Sequence, residues 1–287
     1  MRFLPYTDQG RPALAVVTGD EAFDLTALDA RLPNELDTVA AGGAAILAAI
    51  KVALAKGSAK GVPVASLTPR YPVSGTHKVI CVGLNYALHA KEGGNEIPTY
   101  PAFFLRVRDS MTGPGEPMVR PTVSDKFDYE AELMIVIGTG GRHIPEASAL
   151  DHVFGYTCFN DGSVRDFQRK SSQWTPGKNF DRTGGVGPVI VTPDELPPGA
   201  HGLKIASRLN GQTMQSSNTN DMIFSVAKAV SICSEFTTLR PGDMIAMGTP
   251  EGVGYARKPP VFMKPGDTIE IEIEGIGVLS NPVVAEA

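Results

Sequence analysis

The sequence has no run of lysine or arginine, and its 26 basic residues are outnumbered by 31 acidic ones, for a net charge of −5. That balance leaves no electrostatic footprint for nucleic acid or an anionic membrane surface, so any bound anion must be met by local groups. Cysteine is scarce and odd in number: Cys81, Cys158 and Cys233 lie far apart and in no C-x-x-C pattern. Such a set argues against a disulfide framework and reads as reduced thiols filling small core positions. No stretch approaches the roughly twenty apolar residues of a membrane span, and the start MRFLPYTDQGRPALAVVTGD lacks a charged-then-apolar leader. A cytoplasmic protein with neither membrane nor nucleic acid as partner is the expectation. Low-complexity tracts are missing, as is any period of about twenty to fifty residues, which argues against a solenoid or propeller.

What is present is enough apolar material, 42% of 287 residues, for one large domain with a small companion. Residues 1–72 read as a small α+β unit: short β-like pieces (RPALAVVTG, EAFDLT) and an Ala-rich helix within ELDTVAAGGAAILAAIKVALAKG, weakened at Gly42-Gly43. The Pro/Ser/Gly-rich segment GVPVASLTPRYPVSGTHK marks the boundary. Residues 73–287 carry short β-like runs divided by turn signals, which makes the chain mixed α/β and β-rich. Asn210-Gly211 predicts a tight hairpin between Lys204–Leu209 and Thr213–Gln215. Pro241-Gly242-Asp243 and Pro265-Gly266-Asp267 should each launch a strand. In the second of these, Ile269, Ile271 and Ile273 alternate with Glu270, Glu272 and Glu274, which should face water. A helix is expected in TNDMIFSVAKAVSICSEF, with Asn220 as its N-cap and Ile223, Val226, Val230 and Cys233 on one face.

The stretch KFDYEAELMIVIG poses a physical problem. Asp128, Glu130 and Glu132 alternate, so Glu130 and Glu132 share a strand face about 7 Å apart, and their mutual repulsion calls for a counter-charge. A second apolar run, VFGYTCF, also ends in an acid, Asp161. If the two strands are neighbours, Glu130, Glu132 and Asp161 converge as hard oxygen donors around one divalent cation. Oxygen-only ligands favour Mg²⁺, Mn²⁺ or Ca²⁺ over zinc, and an open octahedron favours Mg²⁺ or Mn²⁺.

Three further blocks offer matching chemistry. Lys178, among glycines in GKNFDRTGGVG, can balance an acid cluster and grip a substrate oxyanion. Arg165 and Gln168 in NDGSVRDFQ supply a fork and an amide on one side of a helical turn. His89 and Glu92, at i and i+3 in GLNYALHAKEGGNEIP, fall side by side on such a turn, where the carboxylate raises the basicity of the imidazole and sets its tautomer. Gly93 and Gly94 behind them allow a hinge, so this turn can serve as a lid.

Taken in order, GLNYALHAKE, FDYEAELMIVIG, NDGSVRDFQ, GKNFD with GVGP, LNGQTMQSSNTNDMIFSVAKAVSICSEFTTLRPGD and GTPEGVG resemble the fumarylacetoacetate hydrolase family over residues 79–284. The resemblance implies a pseudo-symmetric β-roll domain, a homodimer, and Mg²⁺ or Mn²⁺ held by Glu130, Glu132 and Asp161. It also implies a lid pair at His89 and Glu92, the family's lysine at Lys178, and a threonine near the substrate carboxylate at Thr249. Departures fall at Arg106 in FFLRVRDS, where the family often has lysine, at Gly162 and Val164, and at Gly184-Gly185. We group Arg106, Arg165, Gln168 and Thr249 as substrate-binding candidates.

The implied activity is C–C hydrolysis of a 2,4-dioxo acid of the acylpyruvate or fumarylacetoacetate kind, the partner being a small 2-oxo acid. The same enolate-stabilising site suits an isomerase or tautomerase of the 2-hydroxy-diene-dioate type, or a 2-oxo acid decarboxylase. A non-catalytic module that binds a carboxylate through a metal is the reading from outside enzymology.

Overall fold

The computed structural model describes residues 1–57, 59–73, 75 and 78–287. Ser74, Thr76 and His77, part of the expected boundary segment, lie outside the described residues, as does Ser58.

Alternation and turn chemistry decide the architecture. Most strands join a 12-stranded sheet whose central path runs Arg2–Asp8, Gly184–Val191, Val153–Asp161, Ala131–Ile137, Met244–Ala246, Val79–Gly83 and, at one edge, Ala102–Arg106. A second sheet orders Gln212–Asn218, Lys204–Leu209, Thr268–Ile273, Gly277–Ala285 and Met118–Arg120. The Asn210-Gly211 hairpin forms with Leu209 opposite Gln212, and both turn residues have positive φ (52° and 79°), as a two-residue turn between twisted strands requires. Both Pro-Gly-Asp turns launch strands, at Met244 and at Thr268.

The 131–137 strand is buried on both faces, which explains its unbroken apolar run. Leu133, Ile135 and Ile137 join a core shared with Ile205, Ile269, Ile271, Ile273 and Leu279 of the second sheet. Met134 and Val136 point the other way, into a core closed by the Leu36–Lys56 helix through Leu36, Val39 and Ile50. The three cysteines are free and buried.

The strands of the leading segment extend the main sheet, Arg2 pairing with Val191 and Phe3 with Ile190. Other expectations need correction. The 36–56 helix is long and apolar enough, by length and composition, to cross a membrane, contrary to the expectation that no stretch is. In the fold it kinks at Gly43 (φ 53°, ψ −144°), as Gly42-Gly43 suggested, and packs on the sheet. Asn220 is not the N-cap of the C-terminal helix. That helix is Val226–Phe236, capped by Ser225, whose side chain accepts the Lys228 N–H, while Asn220 sits in a preceding 3₁₀ turn. The cause is long-range: Asn85 takes Ile223 N on its carbonyl and Phe224 N on its side-chain oxygen, holding 222–224 out of the helix.

Candidate active site

Glu130 stands at the entry of the 131–137 strand, Glu132 one pleat further on, and Asp161 at the end of the antiparallel 153–161 strand. The register places Glu132 opposite Phe159 and Ala131 opposite Asn160, and Asp161 N donates to Glu130 O at 3.0 Å. Asn160 fixes the corner by accepting Glu130 N at 3.0 Å. One oxygen from each of the three carboxylates lies within 4.8 Å of the others, all three residues buried.

The chain breaks its alternation just before this point. Phe127–Asp128 pairs separately with Ser163–Val164, so Asp128 leaves the ligand cluster. It accepts Gly254 N at 2.7 Å and Tyr255 N at 3.0 Å, and Arg165 Nε donates to it at 2.7 Å.

Charge counting tests the fit of a cation. Buried Asp128, Glu130, Glu132 and Asp161 face buried Arg106, Arg165 and Lys178. Lys178 Nζ bridges Glu130 (2.7 Å) and Asp161 (2.6 Å), Arg165 Nη1 meets Glu130 at 2.7 Å, and Arg106 Nη1 meets Asp161 at 2.5 Å. Among the described residues Glu132 has no cationic partner; it accepts only the Gly248 amide, at 2.9 Å. Burial, then the charges of Asp161 and Glu130, push its carboxyl well above the usual range. Burial acts the same way on Glu130, yet Lys178 and Arg165 outweigh it and hold that carboxyl below the usual range. Lys178, despite a burial penalty, is held charged by Asp161 and Glu130. Three hard-oxygen donors with one uncompensated negative charge fit a divalent cation of the Mg²⁺ or Mn²⁺ kind.

These groups line a cavity of about 350 Å³ together with His89, Arg165, Gln168 and Thr249. His89 sits in the short Ala87–Glu92 helix with Nδ1 2.9 Å from Glu92 Oε1. An ionised carboxylate only accepts, so Nδ1 carries the proton, and in the neutral imidazole Nε2 holds the lone pair. Glu92 itself stands behind His89 and also accepts Gly252 N, at 3.0 Å, which docks the helix on the GTPEGVG loop. Leu84, at φ 57°, turns the chain from the 79–83 strand toward this helix. Thr249 accepts Gln215 Nε2 at 2.8 Å, leaving its O–H free to donate.

Arg106 is the correction here. It does not line the cavity, and its guanidinium is spent on Asp161, Ser110, Gly162 and Thr183. It orients a candidate metal ligand from behind and has no free face for substrate.

Sequence reasoning missed the Gly248 amide, Trp174, Phe104, Arg169 and Tyr255, all of which line the cavity. Trp174 packs so closely on Gly83 that a Cβ there would meet its ring at 2.3 Å. A Cβ on Gly93 would come within 2.8 Å of the Tyr255 hydroxyl, so the end of the His89 helix rests against Tyr255. Gly248 and Phe104 lay inside the quoted blocks, whereas Arg169, Trp174 and Tyr255 fall just outside them and carried no signal of their own.

Comparison with known proteins places this geometry. The family model described as fumarylacetoacetate hydrolase C-terminal matches residues 78–284. The chain is 41% identical over 268 residues to a Bos taurus protein named oxaloacetate tautomerase FAHD2A, mitochondrial, covering 93% of this chain and 85% of that one. Among solved structures, the fumarylacetoacetate hydrolase of Exiguobacterium antarcticum superposes with a TM-score of 0.86 at 34% identity, both chains covered in full. Maleylpyruvate hydrolase of Sphingobium sp. SYK-6, in complex with manganese(II) and pyruvate, gives 0.83 at 33%, again with both chains fully covered.

Proposed function

Since this chain belongs to the fumarylacetoacetate hydrolase family, we propose that it is a Mg²⁺- or Mn²⁺-dependent enzyme of 2-oxo acids that interconverts their keto and enol forms. The observation that carries the reading is a single small cavity in which three buried carboxylates, a buried ammonium and a lone-pair imidazole nitrogen converge. The keto–enol reaction is favoured because a relative of 41% identity over nearly the whole chain bears the name oxaloacetate tautomerase.

Glu130, Glu132 and Asp161 would hold the cation, which when bound would polarise the 2-oxo oxygen and acidify the neighbouring C3 hydrogens. Thr249 donates its free O–H to the C1 carboxylate. Lys178 faces negative charge growing on the C2 oxygen, and burial strengthens that attraction. His89 Nε2 takes the enol O–H proton and returns a proton to C3, ending as it began; Glu92 steadies the imidazolium between the two transfers. Phe104 and Trp174, 5.7 Å apart between ring centres, wall off bulk water.

A second reading is C–C hydrolysis of an acylpyruvate, favoured by the same His89–Glu92 pair, since Nε2 can equally take a proton from water attacking the distal carbonyl. The test is to follow enol absorbance and products with oxaloacetate and with acetylpyruvate in Mg²⁺. Ketonisation without cleavage supports the tautomerase. Release of acetate and pyruvate transfers the assignment to the hydrolase, and inactivity of both substrates overturns the two readings together.

A further inference from the structure

The cavity carries one feature that proton transfer leaves unused. Arg169 lines it, is exposed, and has no ion-pair partner among the described residues. Its guanidinium carbon lies 4.4 Å from the centre of the Tyr255 ring, and that of Arg165 lies 4.5 Å from the same centre. The charge of Arg165 is met by Asp128 and Glu130, which leaves Arg169 as the guanidinium on this ring with its charge unanswered among the described residues. Two cations gathered on one ring, one of them without a counter-ion, also repel each other in the absence of an anion.

We propose that Arg169, set over the Tyr255 ring that it shares with Arg165, holds the distal carboxylate of a dicarboxylic 2-oxo acid. Arg165 ties this subsite to the metal-ligand cluster, because its Nη1 contacts Glu130. A substrate whose 2-oxo-acid end lies at the three carboxylates therefore extends its far end along Arg165 toward Arg169. The Tyr255 ring lies against the Arg169 guanidinium, whose planar fork matches the two oxygens of a carboxylate. Arg169 thus sets specificity, dicarboxylic over monocarboxylic, and takes no part in moving the proton.

The assignment rests on the 2-oxo-acid reading above, so its test separates the two. Binding of N-oxalylglycine and of N-methyloxamate, which share an oxamate head and differ by the distal carboxylate, is measured by calorimetry on Mg²⁺-loaded protein. Wild type should favour N-oxalylglycine by about tenfold or more, the scale of one charge-assisted contact. R169M should lose that preference while binding N-methyloxamate as before, and R169K, which keeps the charge without the planar fork, should retain part of it. Equal binding of the two ligands by wild type, or a preference that survives R169M, overturns the distal subsite alone. Failure of both ligands to bind protein that does bind Mg²⁺ overturns the 2-oxo-acid reading and the subsite with it.

Discussion

Two stretches of this chain, DYEAEL at 128–133 and TIEIEI at 268–273, share one written pattern, acids alternating with apolar residues, and meet opposite fates. In the second, Ile269, Ile271 and Ile273 enter the core, while Glu270 and Glu272 sit partly exposed and both pair with Arg208. In the first, Glu130 and Glu132 are 4% and 3% exposed. The difference lies in the neighbours. The 268–273 strand has one covered face, whereas Glu130 and Glu132 open on a cavity closed over by Lys178, Arg165 and the Gly248 amide. Water screens the first set of charges, so it matters little; the second set is unscreened and must be met by specific cations.

The comparison breaks most visibly at Glu132. E132A should abolish turnover and Mg²⁺ binding by calorimetry, while leaving the metal-free protein at least as stable, since it deletes the carboxylate that lacks a cation. H89A should keep metal binding and lower kcat by about 10²–10⁴-fold, with E92Q losing less. K178M removes the partner of two buried carboxylates and should cost about 3–5 kcal/mol in chemical denaturation of the metal-free protein. The raised carboxyl of Glu132 also sets a pH dependence. Between the ordinary glutamate range and its raised value the folded protein holds a proton that the unfolded chain has released, so stability of chelated protein should fall as pH rises through that window. Saturating Mg²⁺ should flatten the slope. At the bottom of the scale, E270Q/E272Q should shift stability by less than about 1 kcal/mol and leave turnover unchanged.

How much of this was legible in the sequence follows from the range of the forces involved. Local rules placed the hairpin at Asn210-Gly211, both Pro-Gly-Asp turns, the break at Gly43 and the pairing of His89 with Glu92, because each depends on a few adjacent residues. Glu130, Glu132 and Asp161 could be gathered because apolar runs on either side fixed them at strand ends. Asn220 misled because its competitor, Asn85, is remote in sequence. Arg106 misled for the same reason: Asp161, at the end of another strand, and Thr183, just before a third, fill its fork from far along the chain. Tyr255 and Arg169 meet only through the fold, so the wall they make carried no signal in the chain.

The double burial of the 131–137 strand has a consequence for how the molecule breathes. With both faces packed and both edges hydrogen-bonded, its amides should be among the last to exchange with deuterium, opening only when the whole domain unfolds. Glu132 lies in that slow segment and Glu130 at its border, whereas His89 and Arg169 sit on or beside one- and two-turn helices that can fray alone. The anchorage offered to a cation is therefore as durable as the domain itself, and under the proposed function wear at the site would fall on the groups assigned to proton transfer and substrate choice.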